Sequence, residues 1–171
     1  SSFALLLANA LRDVKGRLPK ELRELVIAEI PEIKKTQYVP VLVVGNRGAI
    51  APAILRSLQT VLKELFSRGA KSAVELAIEK ALQEDKLSDD EALQLIRDAN
   101  AKILQSGKAS GMLLILDEVG KYLEFAALQP EQQDVYFLQK LAEMAGRSGK
   151  QPFMFVCLLH QSFGLLSKCS S

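Results

Sequence analysis

Two adjacent acidic residues, Asp117 and Glu118, stand directly after an apolar run that begins at Met112. If that run is a buried strand of a parallel sheet, its last residues reach the carboxyl edge of the sheet, where ligands bind in open α/β folds. An aspartate there can hold Mg²⁺ and a glutamate beside it can polarise an attacking water, which suits phosphoryl transfer. The alternative is that both residues only cap a helix starting at Val119, because acidic side chains are favourable at helix N-termini.

A second candidate lies at the start of the chain. Ser1 and Ser2 stand at the head of a helical pattern over residues 2–14, whose apolar residues form one stripe. Residues 1–11 resemble the helix that follows Gly-Lys-Ser/Thr in a phosphate-binding loop, where the hydroxyl at the helix start binds Mg²⁺. We expect the glycines and the lysine to precede Ser1, so that Ser1, or Ser2 if the boundary lies one residue earlier, supplies the hydroxyl. The alternative is an ordinary amphipathic helix with a serine cap.

The elements that must position these residues follow from apolar periodicity. Three continuous apolar runs, at 38–44, 112–116 and 153–159, predict strands buried on both faces, as is typical of parallel sheets. Helical periodicity predicts helices at 20–30, 51–66, 71–83, 88–106, 119–126 and 130–146. Strands that alternate with helices imply an α/β fold with right-handed crossovers.

Two finer expectations concern the helices. Ser88 and Glu91 predict a capping box, in which the serine caps a free amide and the glutamate reaches back. The periodicity of the last helix places five residues on its inward face, namely Val135, Leu138, Leu141, Ala142 and Ala145.

Composition limits the classes of function. The 171 residues make about one domain, and a net charge of +2 with scattered basic residues gives no reason for direct nucleic-acid binding. No apolar run approaches the roughly 20 residues needed to span a membrane. Cys157 and Cys169 are far from any metal-ligand spacing, and Cys157 is predicted to be a buried thiol, which fits a cytoplasmic protein.

The order of these elements is similar to that of the additional-strand catalytic-glutamate class of P-loop ATPases, which includes the AAA-type enzymes. The match begins at the P-loop helix, so the three strands would be the second, third and fourth of that family's core, which lie side by side, with the acidic strand as the Walker B strand. Residues 114–124, 134–139 and 158–163 look like large bacterial ATP-binding proteins found with phage-defence and restriction-like gene clusters. The resemblance implies a partial P-loop ATPase domain over 1–171, with a helical insertion at 71–106, inside a larger polypeptide.

That resemblance also implies roles for single residues. ATP would be bound by the loop that precedes the chain, Mg²⁺ would be held by Ser1 and Asp117, and the attacking water would be activated by Glu118. A polar residue at the end of the fourth strand senses the γ-phosphate in these ATPases, and His160 and Gln161 both fall there. The family normally has Asn, Thr or Ser at that place, so the alternative is a surface histidine at a strand end.

Two further cations, Arg147 and Arg47, have both a functional and a plain interpretation, and a third, Lys121, has only a plain one. Arg147 could reach the nucleotide of a neighbouring subunit as an arginine finger, and Arg47 could contact phosphate or DNA. The plain interpretation, which we prefer for both, is a solvated arginine, and near a helix C-terminus, as for Arg147, a cation is favourable in any case. For Lys121 we expect an ion pair along its helix with Glu124 or its neighbours.

The leading hypothesis is an ATP-binding and hydrolysis module of a larger, nucleic-acid-associated, defence-type machine. Its expected partners are ATP, further copies of itself and DNA reached through the larger parent, and the chain alone is expected to be inactive. The alternative hypothesis is a non-enzymatic α/β scaffold or protein-interaction domain. Geometry separates the two, because an ATPase needs Asp117 and Glu118 at the carboxyl edge of a parallel sheet, facing the start of the first helix near Ser1.

Overall fold

The structure, a computed structural model, describes Glu24 and residues 37–46, 48–67, 69–84, 87–128 and 134–159. Strands and helices alternate along the described chain in the order β1 (Tyr38–Val44), α1 (Ile50–Leu65), α2 (Ala73–Ala81), α3 (Asp89–Gln105), β2 (Gly111–Asp117), α4 (Val119–Leu128), α5 (Asp134–Gly146) and β3 (Phe153–Cys157). Glu24, within the helix predicted at 20–30, is helical and exposed. The predicted α/β class is therefore confirmed for the described residues.

The three described strands form one parallel sheet in the order β1-β2-β3. In the register of these strands, Val44 lies opposite Asp117, and Leu116 lies opposite Cys157. The prediction of a parallel sheet with these strands side by side is confirmed. The strand that ends in Asp117 is the central one of the three, so both of its edges are occupied by hydrogen-bonded neighbours.

Helices α1, α3 and α5 contact β1, β2 and β3 respectively. Side chains alternate between the two faces of a strand, and partners in a parallel register share a face. The strand residues that join these helices in the core all lie on one face, namely Val41, Val43, Met112, Leu114, Leu116 and Phe153. Leu113, Ile115 and Asp117 lie on the other face, and they are also buried.

Only β2 is buried at every position. The prediction that the other two strands are buried on both faces is wrong, because Val44 in β1 and Met154 in β3 are exposed. Both residues lie on the face away from α1, α3 and α5. The Cys157 thiol, predicted to be buried, is exposed at the end of β3, although the neighbouring protein still raises its pKa by desolvation.

The predicted helical insertion at 71–106 corresponds to α2 and α3, and both pack into the same core as the sheet. Helix α2 contacts α1 and α3, while α3 also contacts β2. The helical periodicity of residues 88–106 predicts an inward face made of five residues, and all five are buried in α3, namely Ala92, Leu95, Ile96, Ala99 and Ile103. Among the described residues, these helices therefore belong to the same packed core as one face of the sheet.

The inward face predicted for α5 is wrong in part. Leu141 is fully buried as expected, but Val135 is 63% exposed and Ala142 is exposed. Phe137, one turn before Leu141, takes the inward place instead. Because residues four apart lie on one helix face, burying this large aromatic ring fixes the rotation of the helix and turns Val135 towards solvent.

Candidate functional site

Asp117 is the last residue of β2 and is fully buried, with 0% of its surface exposed. Its Oδ1 accepts a hydrogen bond of 3.0 Å from the backbone N–H of Glu118. Burying a carboxyl group is costly unless polar groups form hydrogen bonds with it, and this backbone donor is one such partner. The result is an acidic oxygen held at the carboxyl end of the central strand.

Glu118 has a φ of +56°, which is the left-handed region that L side chains rarely adopt. This residue turns the chain from β2 into α4, and its carbonyl accepts a 3.0 Å bond from the Lys121 N–H. Its carboxylate Oε2 lies 2.5 Å from the Lys121 Nζ, and its side chain is 31% exposed. The predicted pairing of Lys121 with Glu124 or its neighbours is therefore wrong, since Lys121 pairs with Glu118 instead.

Gly45, the residue after β1, packs backbone to backbone against this turn. Its N–H donates a 2.7 Å bond to the Asp117 carbonyl. A Cβ at position 45 would lie 2.2 Å from the Glu118 carbonyl oxygen, closer than any side chain can come. Only glycine fits the approach, so Gly45 is part of the framework that sets the Glu118 backbone.

The segment that follows β3 reaches the same edge. The Leu158 N–H donates a 2.8 Å bond to the Leu116 carbonyl, and the Leu158 carbonyl accepts a 3.1 Å bond from the Val119 N–H. On the β1 side, the Tyr122 hydroxyl of α4 donates to the Val44 carbonyl at 3.2 Å. The chain segments after β1 and β3 are thus both hydrogen-bonded at or beside the Asp117–Glu118 turn that follows β2.

The predicted site residues divide into two sets. Asp117 and Glu118 lie at the carboxyl edge of a parallel sheet, which meets the first half of the geometric requirement set above. The second half cannot be read from the structure, because the other predicted residues lie outside the described part of the chain, namely Ser1, Ser2, Arg47, His160 and Gln161. Arg147 is described and exposed, and it lies after α5 and before β3, near the amino end of that strand.

Sequence reasoning missed three contributors to this edge: Gly45, Tyr122 and the pairing of Lys121 with Glu118. A glycine directly after a predicted strand often marks a close approach of backbone, so Gly45 carried a signal. The spacing of Glu118 and Lys121 carried one too, since residues three apart on a helix are neighbours. Nothing in the sequence pointed to the hydrogen bond from the Tyr122 hydroxyl to a β1 carbonyl, because the two residues are 78 positions apart in the chain.

Within the described ranges, no three or more His, Cys, Asp or Glu side chains group closely enough to hold a metal ion. None of the helices described here has the length and apolar character needed to cross a bilayer. Comparison with protein families, with curated proteins and with solved structures finds no match to this chain. Inferences about its function therefore rest on the geometry of the site and on the sequence.

Proposed function

We propose that the chain is the core of an ATP-binding and hydrolysis module of the P-loop, AAA-like class, acting in the cytoplasm within a larger, nucleic-acid-associated, defence-type machine. The observation that carries this proposal is the position of Asp117 and Glu118 at the carboxyl end of the central strand of a parallel α/β sheet. Ligands of open α/β folds bind at that edge. DNA and further copies of the protein would be met through the larger assembly.

Asp117 fits the metal that such a module needs. Mg²⁺ prefers oxygen ligands and is usually held by one or two carboxylates together with waters and substrate phosphates, so it does not need a cluster of three protein ligands. In this proposal Asp117 and the hydroxyl of Ser1, or of Ser2, hold Mg²⁺, which would neutralise charge on the phosphates. The bond from the Glu118 N–H keeps the Asp117 carboxylate oriented.

Glu118 would orient the attacking water and accept its proton. Its left-handed φ supports this role, because backbone strain at a polar residue is most often retained where function requires it. The contact with Lys121 holds the carboxylate in one place and also competes with water for one of its oxygens. We therefore assign Lys121 as a positioning residue for Glu118.

His160 and Gln161 would sense the γ-phosphate in this proposal. The structure describes the segment before these two residues, up to Leu159. Leu158 bonds to both Leu116 and Val119, so the segment after β3 runs beside the Asp117–Glu118 turn. The last described residues, Leu158 and Leu159, thus lie at the edge of the sheet where this proposal puts the phosphates.

The alternative, a non-enzymatic α/β scaffold or protein-interaction domain, is favoured by a specific observation of its own. The Asp117 carboxylate accepts the Glu118 N–H, and the Glu118 carboxylate pairs with Lys121. Both acids thus have partners without any nucleotide. In this interpretation they only stabilise the turn between β2 and α4.

The test is ATP hydrolysis by the polypeptide that carries this chain together with its phosphate-binding loop. We expect Glu118→Gln to lower turnover by about 100-fold or more while ATP binding is kept, because a positioned general base contributes roughly 10²–10⁴-fold. Glu124→Gln is the matched control, since Glu124 is an exposed glutamate in α4, the helix that follows Glu118. Normal turnover in Glu118→Gln would refute the assignment of the base, and loss of activity in both variants would show a non-specific effect.

A further inference from the structure

A cleft of about 520 Å³ runs between α3 and α5 and reaches the first residue of β3, Phe153. Its size is within the roughly 300–1,000 Å³ of pockets that bind small molecules. The Asp117–Glu118 turn contributes nothing to its lining. The cleft is therefore a separate feature, and the proposal below does not depend on the proposed ATPase function.

The lining of this cleft carries more positively charged than negatively charged side chains. Lys140 of α5 lies 2.7 Å from Asp90 of α3, so this acid is already neutralised. Glu143 is the other acid in the lining, and it accepts a bond from the Gln139 amide at 3.1 Å. Two exposed guanidinium groups remain, those of Arg97 and Arg147, and neither forms an ion pair with another described residue.

A buried amide lies in the same lining. Asn100 is 3% exposed, and its Nδ2 donates a 3.1 Å bond to the Gln151 carbonyl in the segment before β3. Its Oδ1 is buried and has no hydrogen-bond partner among the described residues. Unpartnered buried acceptors are rare because they cost stability, so each one calls for an explanation. One of the two amide N–H groups is used in that bond, and the atom that remains without a partner is the acceptor Oδ1.

We propose that this cleft binds a small phosphorylated molecule that also carries an N–H donor, of the nucleoside monophosphate kind. The Arg97 and Arg147 guanidinium groups match the geometry of phosphate oxygens. Leu93, Met144 and Phe153 supply an apolar wall for the body of the ligand. An N–H of the ligand satisfies the Asn100 Oδ1 after a small shift of that side chain.

The test is a titration of the ¹⁵N-labelled chain with AMP and with ribose 5-phosphate, followed by NMR. AMP is expected to shift the signals of Asn100 and of residues 147–151. Ribose 5-phosphate keeps the phosphate but lacks the whole base, so it loses both the amine donor and the contact with the apolar wall, and we expect it to bind about tenfold more weakly or worse.

Two variants test whether AMP binds in this cleft. Arg97→Gln and Arg147→Gln are each expected to weaken AMP binding by about tenfold or more, because each removes a charge-assisted contact. Arg56→Gln is the matched control, since Arg56 is an exposed arginine on α1 outside the cleft lining. All three changes are at exposed positions, and the spectrum of each free variant reports whether it folds.

Three results would overturn this proposal. One is an absence of AMP-dependent shifts at the cleft. Another is AMP binding that keeps its full affinity in Arg97→Gln and in Arg147→Gln, which would place the ligand elsewhere. The third is equal affinity for AMP and ribose 5-phosphate, which would remove the role of the donor.

Discussion

Gly45 and Glu118 constrain each other at the carboxyl edge of the sheet. Glu118 adopts a left-handed backbone conformation, and its carbonyl oxygen is turned towards the α-carbon of Gly45. Such a conformation costs energy and persists only where the surrounding structure fixes it. The bond from the Gly45 N–H to the Asp117 carbonyl is one of the contacts that fix it.

Gly45→Ala is expected to lower the free energy of unfolding by about 1–3 kcal/mol, the usual cost of forcing an added methyl into a packed place. The clash is with the backbone of Glu118 and Asp117, which cannot move aside as a flexible side chain could. Urea unfolding followed by circular dichroism measures the change. Gly120→Ala is the control, because a Cβ there meets nothing within 4 Å and the residue lies in helix α4. Its helix propensity should raise stability by roughly 0.5–1 kcal/mol, and a similar loss in both variants would contradict the steric argument.

At the scale of elements, the reciprocal capping box lies at a different helix from the one predicted. At α2 the Ser72 Oγ accepts the Glu75 N–H, and the Glu75 carboxylate accepts both the backbone N–H of Ser72, at 2.9 Å, and its hydroxyl, at 2.8 Å. At α3 the structure shows the serine half of the predicted box, with Ser88 accepting the Glu91 N–H. The two motifs have the same spacing, but Glu75 is buried and Glu91 is exposed.

Ser72→Ala should therefore destabilise the protein more than Ser88→Ala. Loss of a serine cap costs about 0.5–2 kcal/mol. Ser72→Ala should lie at the upper end of that range, because it also removes a hydroxyl donor from the buried Glu75 carboxylate. Thermal or urea unfolding of the two single variants decides the order, and an equal or larger loss in Ser88→Ala would contradict it.

The whole molecule is organised around β2. Every residue of this strand is buried, and it pairs with a neighbour on each side. Leu114, at its middle, is 1% exposed and lies in the core beneath the helices. If such a side chain is truncated, the closely packed residues around it cannot move far enough to fill the cavity that is left.

Leu114→Ala is expected to cost about 2–5 kcal/mol, the range for leucine truncation in a packed core. Val135→Ala is the matched truncation on the surface of α5, and with 63% of its surface exposed we expect a change within about 0.5 kcal/mol. Chemical denaturation of both variants gives the comparison. Similar costs at the two positions would show that β2 is not the centre of the stable core.

The sequence by itself determined the α/β class, the order of strands and helices and the acidic turn after the central strand, because these follow from local apolar periodicity and from residue types at strand ends. It also identified the buried face of α3, where apolar residues recur with an unambiguous helical period. Only the tertiary structure decided which strand is buried on both faces, how α5 is rotated about Phe137 and which partner Lys121 takes. Those features depend on which segments pack against each other in the fold. The apolar pattern of one segment does not specify which other segment packs against it. The Asp117–Glu118 turn shows both contributions, since the sequence named the two acids and the structure added the left-handed backbone and the glycine that fits against it.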